Sequence, residues 1–473
     1  MSNMIEVANP RTGVVDYTFE AVDEAGLTAL ASRLRAAQTG WSVRPVKERC
    51  QVLLGWADAL ERHKDAIAGA LEIDTGRRRI ARLEVEGAIA SIRGWAGAAP
   101  HLLPKPQWVE GRANAAIRHQ AQDVPYALAG VISPWNFPLT LSLIDTIPAL
   151  LAGCSVIVKP SEVTPRFVEP LNVAIAEAGL GDLLAFAPGN GQTGATLIDQ
   201  VDVVCFTGSV ATGKKVAVRA AGRLIPAFLE LGGKDPLIIL ESADLDRAVT
   251  AALRGSVLST GQACQSIERV YVARKLYPVF LERLVEAAKA VRFNWPDINI
   301  GELGPMIFAR QAEIIAGQLE DAVAKGAKVL TGGTVQRHGG GYWIAPTVLS
   351  DVTHEMAVMR DETFGPVLPV MAFDRVDEAV RLANDTVYGL SAAVFAGTIE
   401  EAEAVARQLE AGAVTLNDAA LTALFHEAEK QSFKVSGLGP SRMGAAGLLR
   451  FYRRKALIAQ TGAPAPLSTF SEG

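Results

Sequence analysis

The sequence predicts an α/β fold: a parallel sheet covered by helices on both faces, followed by a second α/β domain. Three observations predict it. From residue 127 to 231, apolar runs of strand length alternate with stretches of helical period, the pattern of βαβ units. Those runs are continuously apolar rather than alternating, as strands buried on both faces must be. The mean hydropathy is +0.20, with 49% apolar and 21% charged residues, which calls for either a large buried core or a membrane span and excludes a disordered chain. A length of 473 residues suggests about three domains.

Residues 20–100 read as helical, with Ala-rich amphipathic runs at 52–63 and 83–96. Between 104 and 126 the text changes to short mixed segments ending in Val124-Pro125-Tyr126. A strand at 127–133, a helix at 139–151 and a strand at 155–158 follow. Next come a helix at 166–178, a strand at 183–187, a helix at 193–200 and a strand at 201–206. A helix at 212–221 and a strand at 224–231 complete the series. The stretch 139–158 is long enough to span a membrane, but Asp145, Pro148 and the following Lys159-Pro160 favour a buried helix and strand. From 234 to 430 the alternation is less tidy, with strands expected at 236–240, 270–272, 394–395 and 413–417 and helices at 277–291 and 310–325. The end, with Arg453-Arg454-Lys455 and Ala463-Pro464-Ala465-Pro466, reads as an extension outside the core. No internal repeat is evident.

The net charge of −5 and pI near 5.8 exclude a general nucleic-acid binder and a polybasic membrane-surface protein. The cysteines, Cys50, Cys154, Cys205 and Cys264, are dispersed and form no CxxC pair. Neither a disulfide framework nor a zinc site is therefore expected, and no metal is assigned. The first residues carry neither a signal peptide nor a transit-peptide pattern, so a cytoplasmic location is expected.

Five short segments can carry chemistry. Cys264, in Gly261-Gln262-Ala263-Cys264, is either an inert buried thiol or a thiolate nucleophile exposed by small neighbours, which needs a lowered pKa. Glu230, in Glu230-Leu231-Gly232-Gly233-Lys234, is either a solvated strand end or a semi-buried general base of raised pKa. Asn136, between Trp135 and Phe137-Pro138, is a turn residue or an amide donor aimed at a developing oxyanion. Gly208-Ser209 through Gly213 opens a helix after a strand, where free N–H groups can meet an anion, although the spacing is neither GxGxxG nor Walker A. Lys159 and Glu162 follow another strand and are either a surface ion pair or a grip on the vicinal hydroxyls of a ribose.

Taken in order, Pro-Trp-Asn-Phe-Pro at 134–138, Lys-Pro-Ser-Glu at 159–162, Phe-Thr-Gly-Ser at 206–209, Glu-Leu-Gly-Gly-Lys at 230–234, Gly-Gln-x-Cys at 261–264 and Glu362-Thr363-Phe364-Gly365-Pro366 resemble the NAD(P)-dependent aldehyde dehydrogenase superfamily. The similarity runs from Asn9-Pro10-Arg11-Thr12-Gly13 to Asn417 and fits the total length. It implies a Rossmann-type cofactor domain (1–103 and 127–230), an α/β catalytic domain (231–452) and a bridging β element (104–126 and 453–473) that pairs subunits into a homodimer or homotetramer. It implies that Cys264 attacks an aldehyde, with the oxyanion held by the Asn136 amide and the Cys264 N–H. Hydride then leaves for the cofactor, and Glu230 activates the water that hydrolyses the thioester to a carboxylic acid. The presence of Glu230 argues against CoA-acylating branches.

The same resemblance places cofactor contacts at Trp135, Lys159, Ser161, Glu162, Gly208, Ser209, Gly213, Leu231, Glu362 and Phe364. Of these, Lys159 and Glu162 would hold the adenosine ribose, Ser209 the pyrophosphate and Glu362 the nicotinamide ribose. A carboxylate at Glu162 would repel a 2′-phosphate, so NAD is favoured over NADP. Three departures stand out: Asp145 replaces a lysine of many relatives, Lys430-Gln431-Ser432-Phe433 stands where Pro-Phe-Gly-Gly is common, and Ala263 and Gln265 flank the cysteine. They resemble a branch that includes carotenoid-dialdehyde-like enzymes, so a lipophilic or aromatic aldehyde is expected. A cysteine-dependent esterase or thioesterase, and a non-catalytic structural or binding role, are the alternatives.

Overall fold

A computed structural model describes residues 3–103 and 106–472. Residues 1, 2, 104, 105 and 473, where the expected cofactor domain and bridging element begin or end, lie outside the described residues.

The first sheet has the strand order Gly437–Leu438, Ala227–Glu230, Val203–Thr207, Leu128–Ile132, Ser155–Lys159, Leu184–Phe186. All neighbours are parallel except Gly437–Leu438, which runs antiparallel at the edge. The strands Leu128–Ile132, Ser155–Lys159 and Val203–Thr207 are buried along their whole length, which is why they read as unbroken apolar runs. Helices Pro138–Ala152, Val168–Glu177, Gly191–Gln200 and Val210–Gly222 make the crossovers, each within a few residues of expectation. The chain moves outward from Leu128–Ile132 to Leu184–Phe186, then returns to place Val203–Thr207 on the other side of the first strand. That reversal opens a crevice at the carboxyl ends of the strands, the usual place for a ligand in such a sheet.

The helices Glu24–Ser42, Val46–Thr75 and Arg78–Leu102 account for the helical first hundred residues. Fully buried Leu53, Trp56 and Leu60 share a core with Leu143, Ile147 and Leu150 of Pro138–Ala152. The Trp41 indole N–H donates to the Leu150 carbonyl at 2.8 Å, fastening the first helix to the same element.

The second sheet has the order Lys328–Thr331, Thr347–Ser350, Val367–Phe373, Ile267–Ala273, Asp235–Ile239, Ser391–Phe395, Ala413–Leu416, antiparallel only between the first two. Apolar clusters cover both of its faces. Its four strands from Ile267–Ala273 onward match expectation, but the first three were not foreseen. Two of them are only four residues long, and Val367–Phe373 carries Pro369, which breaks the pattern of a central strand.

A third, antiparallel sheet joins Tyr452–Gln460, Ile117–Pro125 and Val109–Glu110. Its residues are mostly exposed, Ile458 among them. Among the described residues no helix is long and apolar enough to cross a membrane; 139–158 is a helix followed by a strand.

Candidate active site

Four of the expected segments emerge at one edge of the first sheet. Asn136 follows Leu128–Ile132, Lys159 ends Ser155–Lys159, Gly208-Ser209 follows Val203–Thr207, and Glu230 ends Ala227–Glu230.

The cysteine arrives from the other sheet. Helix Leu245–Val257 runs into a turn at Leu258–Gly261 in which Ser259, Thr260 and Gly261 all have positive φ, at 60°, 59° and 67°. Two of these are non-glycine residues in the left-handed region, a strained arrangement found where a site needs a special backbone path. At Gly261 a methyl group would stand 2.3 Å from the Gly365 carbonyl carbon, so glycine is required there twice over. Gln262, fully buried, staples the turn: its amide donates to the carbonyls of Ser259 (3.2 Å) and Pro305 (3.3 Å), and its Oε1 accepts from Ile307 N–H (2.9 Å). Cys264 itself is half-buried.

The Asn136 Nδ2 donates to the Gln262 carbonyl at 3.0 Å, so one amide N–H is committed to the backbone of the cysteine turn and holds the carboxamide beside it. Buried Arg77 donates to the Asn136 carbonyl, and the Glu84 carboxylate accepts from Leu139 N–H (3.1 Å) and Thr140 N–H (3.0 Å) at the start of the helix. Burial pushes Glu84 up to about 7 and Arg77 down to about 10.

Glu230 is half-buried, the second of the two readings its sequence allows. Its Oε2 faces Lys430 Nζ at 3.5 Å and accepts from Ser432 Oγ at 3.3 Å. Next to it, Gly232 and Gly233 are packed too closely for side chains. A methyl group on Gly232 would lie 2.6 Å from Glu362 Oε2, and one on Gly233 would lie 2.6 Å from the Cys264 carbonyl oxygen. The Gly233 N–H donates to Glu362 Oε1 at 3.0 Å. Glu362 is pushed up to about 8 by burial first and by the nearby Glu268 carboxylate second. Its turn is held by Glu268, which accepts the Thr363 and Phe364 N–H groups (both 2.7 Å) and pairs with the fully buried Lys234 at 2.7 Å. Phe364, at φ 53°, meets Trp135 edge-on with ring centres 5.4 Å apart.

The expectation of a lowered thiol pKa is not met. Burial, reinforced by Glu362, Asp235 and Glu230 and opposed by Lys430, pushes Cys264 up to about 12. Small neighbours do expose the residue in part, but the carboxyl groups converging on it disfavour the thiolate.

In the crevice, the Lys159 ammonium is buried and lies 2.6 Å from Glu162 Oε2, whose side chain is partly open to solvent. Ser161 is buried, its Oγ accepting from Val163 N–H at 3.2 Å. Ser209 is exposed and caps helix Val210–Gly222 by accepting from Thr212 N–H. A methyl group on Gly208 would lie 2.6 Å from the Phe206 ring, and one on Gly213 would lie 2.5 Å from Leu231. Gly213 therefore lets Leu231 close the floor beside Glu230. An exposed helix N-terminus capped by Ser209, a Lys–Glu pair and the Glu362 carboxylate lie along the strand ends, and this donor and acceptor set fits a dinucleotide.

Asp145 is deeply buried with both oxygens occupied: Oδ2 accepts from Arg442 at 2.8 Å and Oδ1 from Arg450. Arg442 also donates to Thr207 Oγ1 at 2.7 Å. The departure at 145 is thus a buried ion cluster that ties the C-terminal segment under the first sheet.

Residues 1–457 match the aldehyde dehydrogenase family. The chain belongs to that family. A protein of Mycolicibacterium smegmatis provisionally named succinate-semialdehyde dehydrogenase [NADP(+)] is 38% identical, over 90% of this chain and 83% of its own. The 4,4′-diapolycopene aldehyde oxidase of a Methylomonas species is 37% identical over 94% of this chain and 84% of its own. The structure of a provisionally assigned aldehyde dehydrogenase, PutA of Anabaena variabilis, superposes with a TM-score of 0.95 at 52% identity, covering 98% and 99% of the two chains. This aldehyde dehydrogenase oxidises aldehydes and uses NAD or NADP, as its family does. The esterase, thioesterase and non-catalytic readings are not favoured.

Gln262, Lys430 and the Lys234–Glu268 pair are site features that the sequence reading did not single out as functional. Gln262 and Lys234 lie inside quoted motifs, and Lys430 heads the segment noted for departing from its relatives.

Proposed function

We propose that this aldehyde dehydrogenase converts a lipophilic or aromatic aldehyde to its carboxylic acid, with NAD preferred to NADP. The observation that carries the site assignment is the convergence at Gly232-Gly233. One stretch of backbone touches the Cys264 carbonyl, donates to Glu362 and follows directly on Glu230.

In this reading Cys264, after losing its proton, attacks the aldehyde carbon. The Cys264 N–H and the Asn136 amide then stabilise the oxyanion of the thiohemiacetal. A dinucleotide held by the crevice residues would supply the hydride acceptor, and Cys264 then carries the acyl group as a thioester. Glu230 takes a proton from water as the water attacks that thioester, and the acid leaves while the thiol re-forms. Lys159, Ser161 and Glu162 would hold the adenosine ribose, Gly208, Ser209 and Gly213 the pyrophosphate, and Glu362, Phe364, Trp135 and Leu231 the nicotinamide end.

The NAD preference is supported by the 2.6 Å Lys159–Glu162 pair, which neutralises the ammonium a 2′-phosphate would need; the NADP name of the mycobacterial relative stands on the other side. The lipophilic substrate is supported by exposed Leu424 and Phe425, which follow Thr422, whose hydroxyl bonds Gln265 beside the cysteine at 2.6 Å. The diapolycopene enzyme's name points the same way. We also infer a homodimer or homotetramer joined through the exposed sheet of Ile117–Pro125 and Tyr452–Gln460. The expected division into cofactor domain, catalytic domain and bridging element belongs to the same reading, as does a cytoplasmic location, consistent with four free cysteines.

The test is an aldehyde panel, medium-chain, aromatic and carboxylate-bearing, run with NAD and NADP in parallel and followed by absorbance of the reduced cofactor. Higher kcat/KM for carboxylate-bearing aldehydes, or for NADP, overturns the corresponding half of the proposal. Ester hydrolysis without any cofactor reduction overturns the whole.

A further inference from the structure

A lysine ammonium removed from water is costly unless it is paired or has work to do. Lys430 is 5% exposed, and its Nζ lies 3.5 Å from Glu230 Oε2, a looser approach than the 2.7 Å of the buried Lys234–Glu268 pair. Ser432 Oγ donates to the same Glu230 oxygen at 3.3 Å. The segment that carries both is pinned at two points. Lys430 N–H donates to Ser441 Oγ at 3.1 Å, and Gly437–Leu438 pairs with Leu229 and Glu230 of the first sheet. Lys430 therefore lies in a segment that is joined, through Gly437–Leu438, to the strand that bears Glu230.

Its other neighbours are as telling. Burial first, and then the charges of Glu362, Asp235 and Glu230, oppose a thiolate at Cys264, while the charge of Lys430 favours it. The second cation acting on Cys264, Arg442, has its guanidinium committed to Asp145 and Thr207. Among the described residues, Lys430 is the cation of this site whose charge is not already taken up by an ion cluster elsewhere.

We propose that Lys430 is a positioning residue for both chemical steps: its ammonium holds the Glu230 carboxylate in place and supplies the positive charge against which the Cys264 thiolate forms. The inference rests on Cys264 as nucleophile and Glu230 as base. During attack the ammonium's charge offsets that of the sulfur anion. During deacylation the Glu230 carboxylate gives up its negative charge as it takes the proton from water, and until then Lys430 and Ser432 hold its oxygen in place. Lys430 forms no bond to substrate in either step.

The experiment compares Lys430→Met, Lys430→Arg and the parent enzyme. The first readout is the rate of Cys264 alkylation by iodoacetamide across pH in the enzyme without substrate. The second is pre-steady-state formation of reduced cofactor with a neutral aldehyde and with a carboxylate-bearing one. Binding of the dinucleotide, followed by fluorescence, certifies that each variant is folded. Lys430→Met is expected to be alkylated about tenfold more slowly at any one pH, equivalent to a shift of about one pH unit. It should slow both the burst and the steady state on both aldehydes, and Lys430→Arg should restore alkylation to within about threefold of the parent. Unchanged alkylation and burst rates in a folded Lys430→Met overturn the proposal. So does a defect confined to the KM of the carboxylate-bearing aldehyde, which would make Lys430 a substrate-binding group. The underlying reading fails separately, if Cys264→Ser retains turnover.

Discussion

Gly261→Ala is the substitution whose cost can be worked most directly from the structure. The residue sits at φ 67°, and its added methyl group would stand 2.3 Å from the Gly365 carbonyl carbon, 2.4 Å from its oxygen and 2.6 Å from Pro366 N, all of them backbone atoms. An L-residue in the left-handed region costs about 1–2 kcal/mol. Forcing a methyl into a filled site costs about 1–3 kcal/mol more. For a chain this long, about 1 kcal/mol lowers the melting temperature by about 1 °C, so the fall should be about 2–5 °C. The larger effect is on activity, because relief can come only by moving the turn that carries Gln262 and Cys264. A displacement of about 1 Å at the nucleophile costs about a hundredfold in kcat. The assay is single-turnover reduction of the cofactor, alongside thermal unfolding. Gly55→Ala is the control: it lies exposed in helix Val46–Thr75 with nothing within 4 Å of the added methyl, and it should stabilise by about 0.5–1 kcal/mol. A Gly261→Ala enzyme with parental kcat would refute the claim that this close approach sets the nucleophile's position.

On the proposed mechanism Asn136→Ala removes one oxyanion donor and should lower kcat about 10²–10³-fold with little change in cofactor affinity; a loss of dinucleotide binding instead would assign Asn136 to the cofactor site. Glu230→Gln should leave the first turnover visible as a burst of reduced cofactor and slow only the later turnovers; a burst slowed as much as the steady state would remove Glu230 from deacylation. Because the Cys264 thiol is pushed up to about 12, the thiolate fraction increases as pH rises toward that value. Alkylation of the enzyme without substrate should therefore accelerate about tenfold per pH unit between pH 7 and 9. A plateau near neutral pH would show a thiol already ionised.

Much of the first sheet could be read before any coordinates. Its strands are buried on both faces, so their apolar runs are unbroken, and the crossover helices between them are bounded by Gly and Pro. Gly437–Leu438 was not legible, because a two-residue edge strand made of a glycine and an exposed leucine has no period to detect. Val367–Phe373 was hidden by Pro369, which a single sequence can only count against a strand. The motif residues Cys264, Glu230 and Asn136 were visible in their glycine-rich or turn contexts. Gln262 was overlooked because a buried amide's three backbone bonds, to residues as distant as Ile307, leave no local trace.

The sequence by itself determined the family, the reaction class and the residue types available for it, because short-range spacing and strand-to-turn patterning are properties of the chain's own order. The tertiary structure alone decided the electrical state of the site. Glu230, Asp235, Glu362 and Lys430 come from strand ends and loops up to two hundred residues apart, and only the folded packing brings their charges to bear on one half-buried sulfur. Cys264, which the sequence leaves open as an inert buried thiol or a nucleophile, is a thiol pushed up by burial first and by these carboxyl groups second, with Lys430 opposing them.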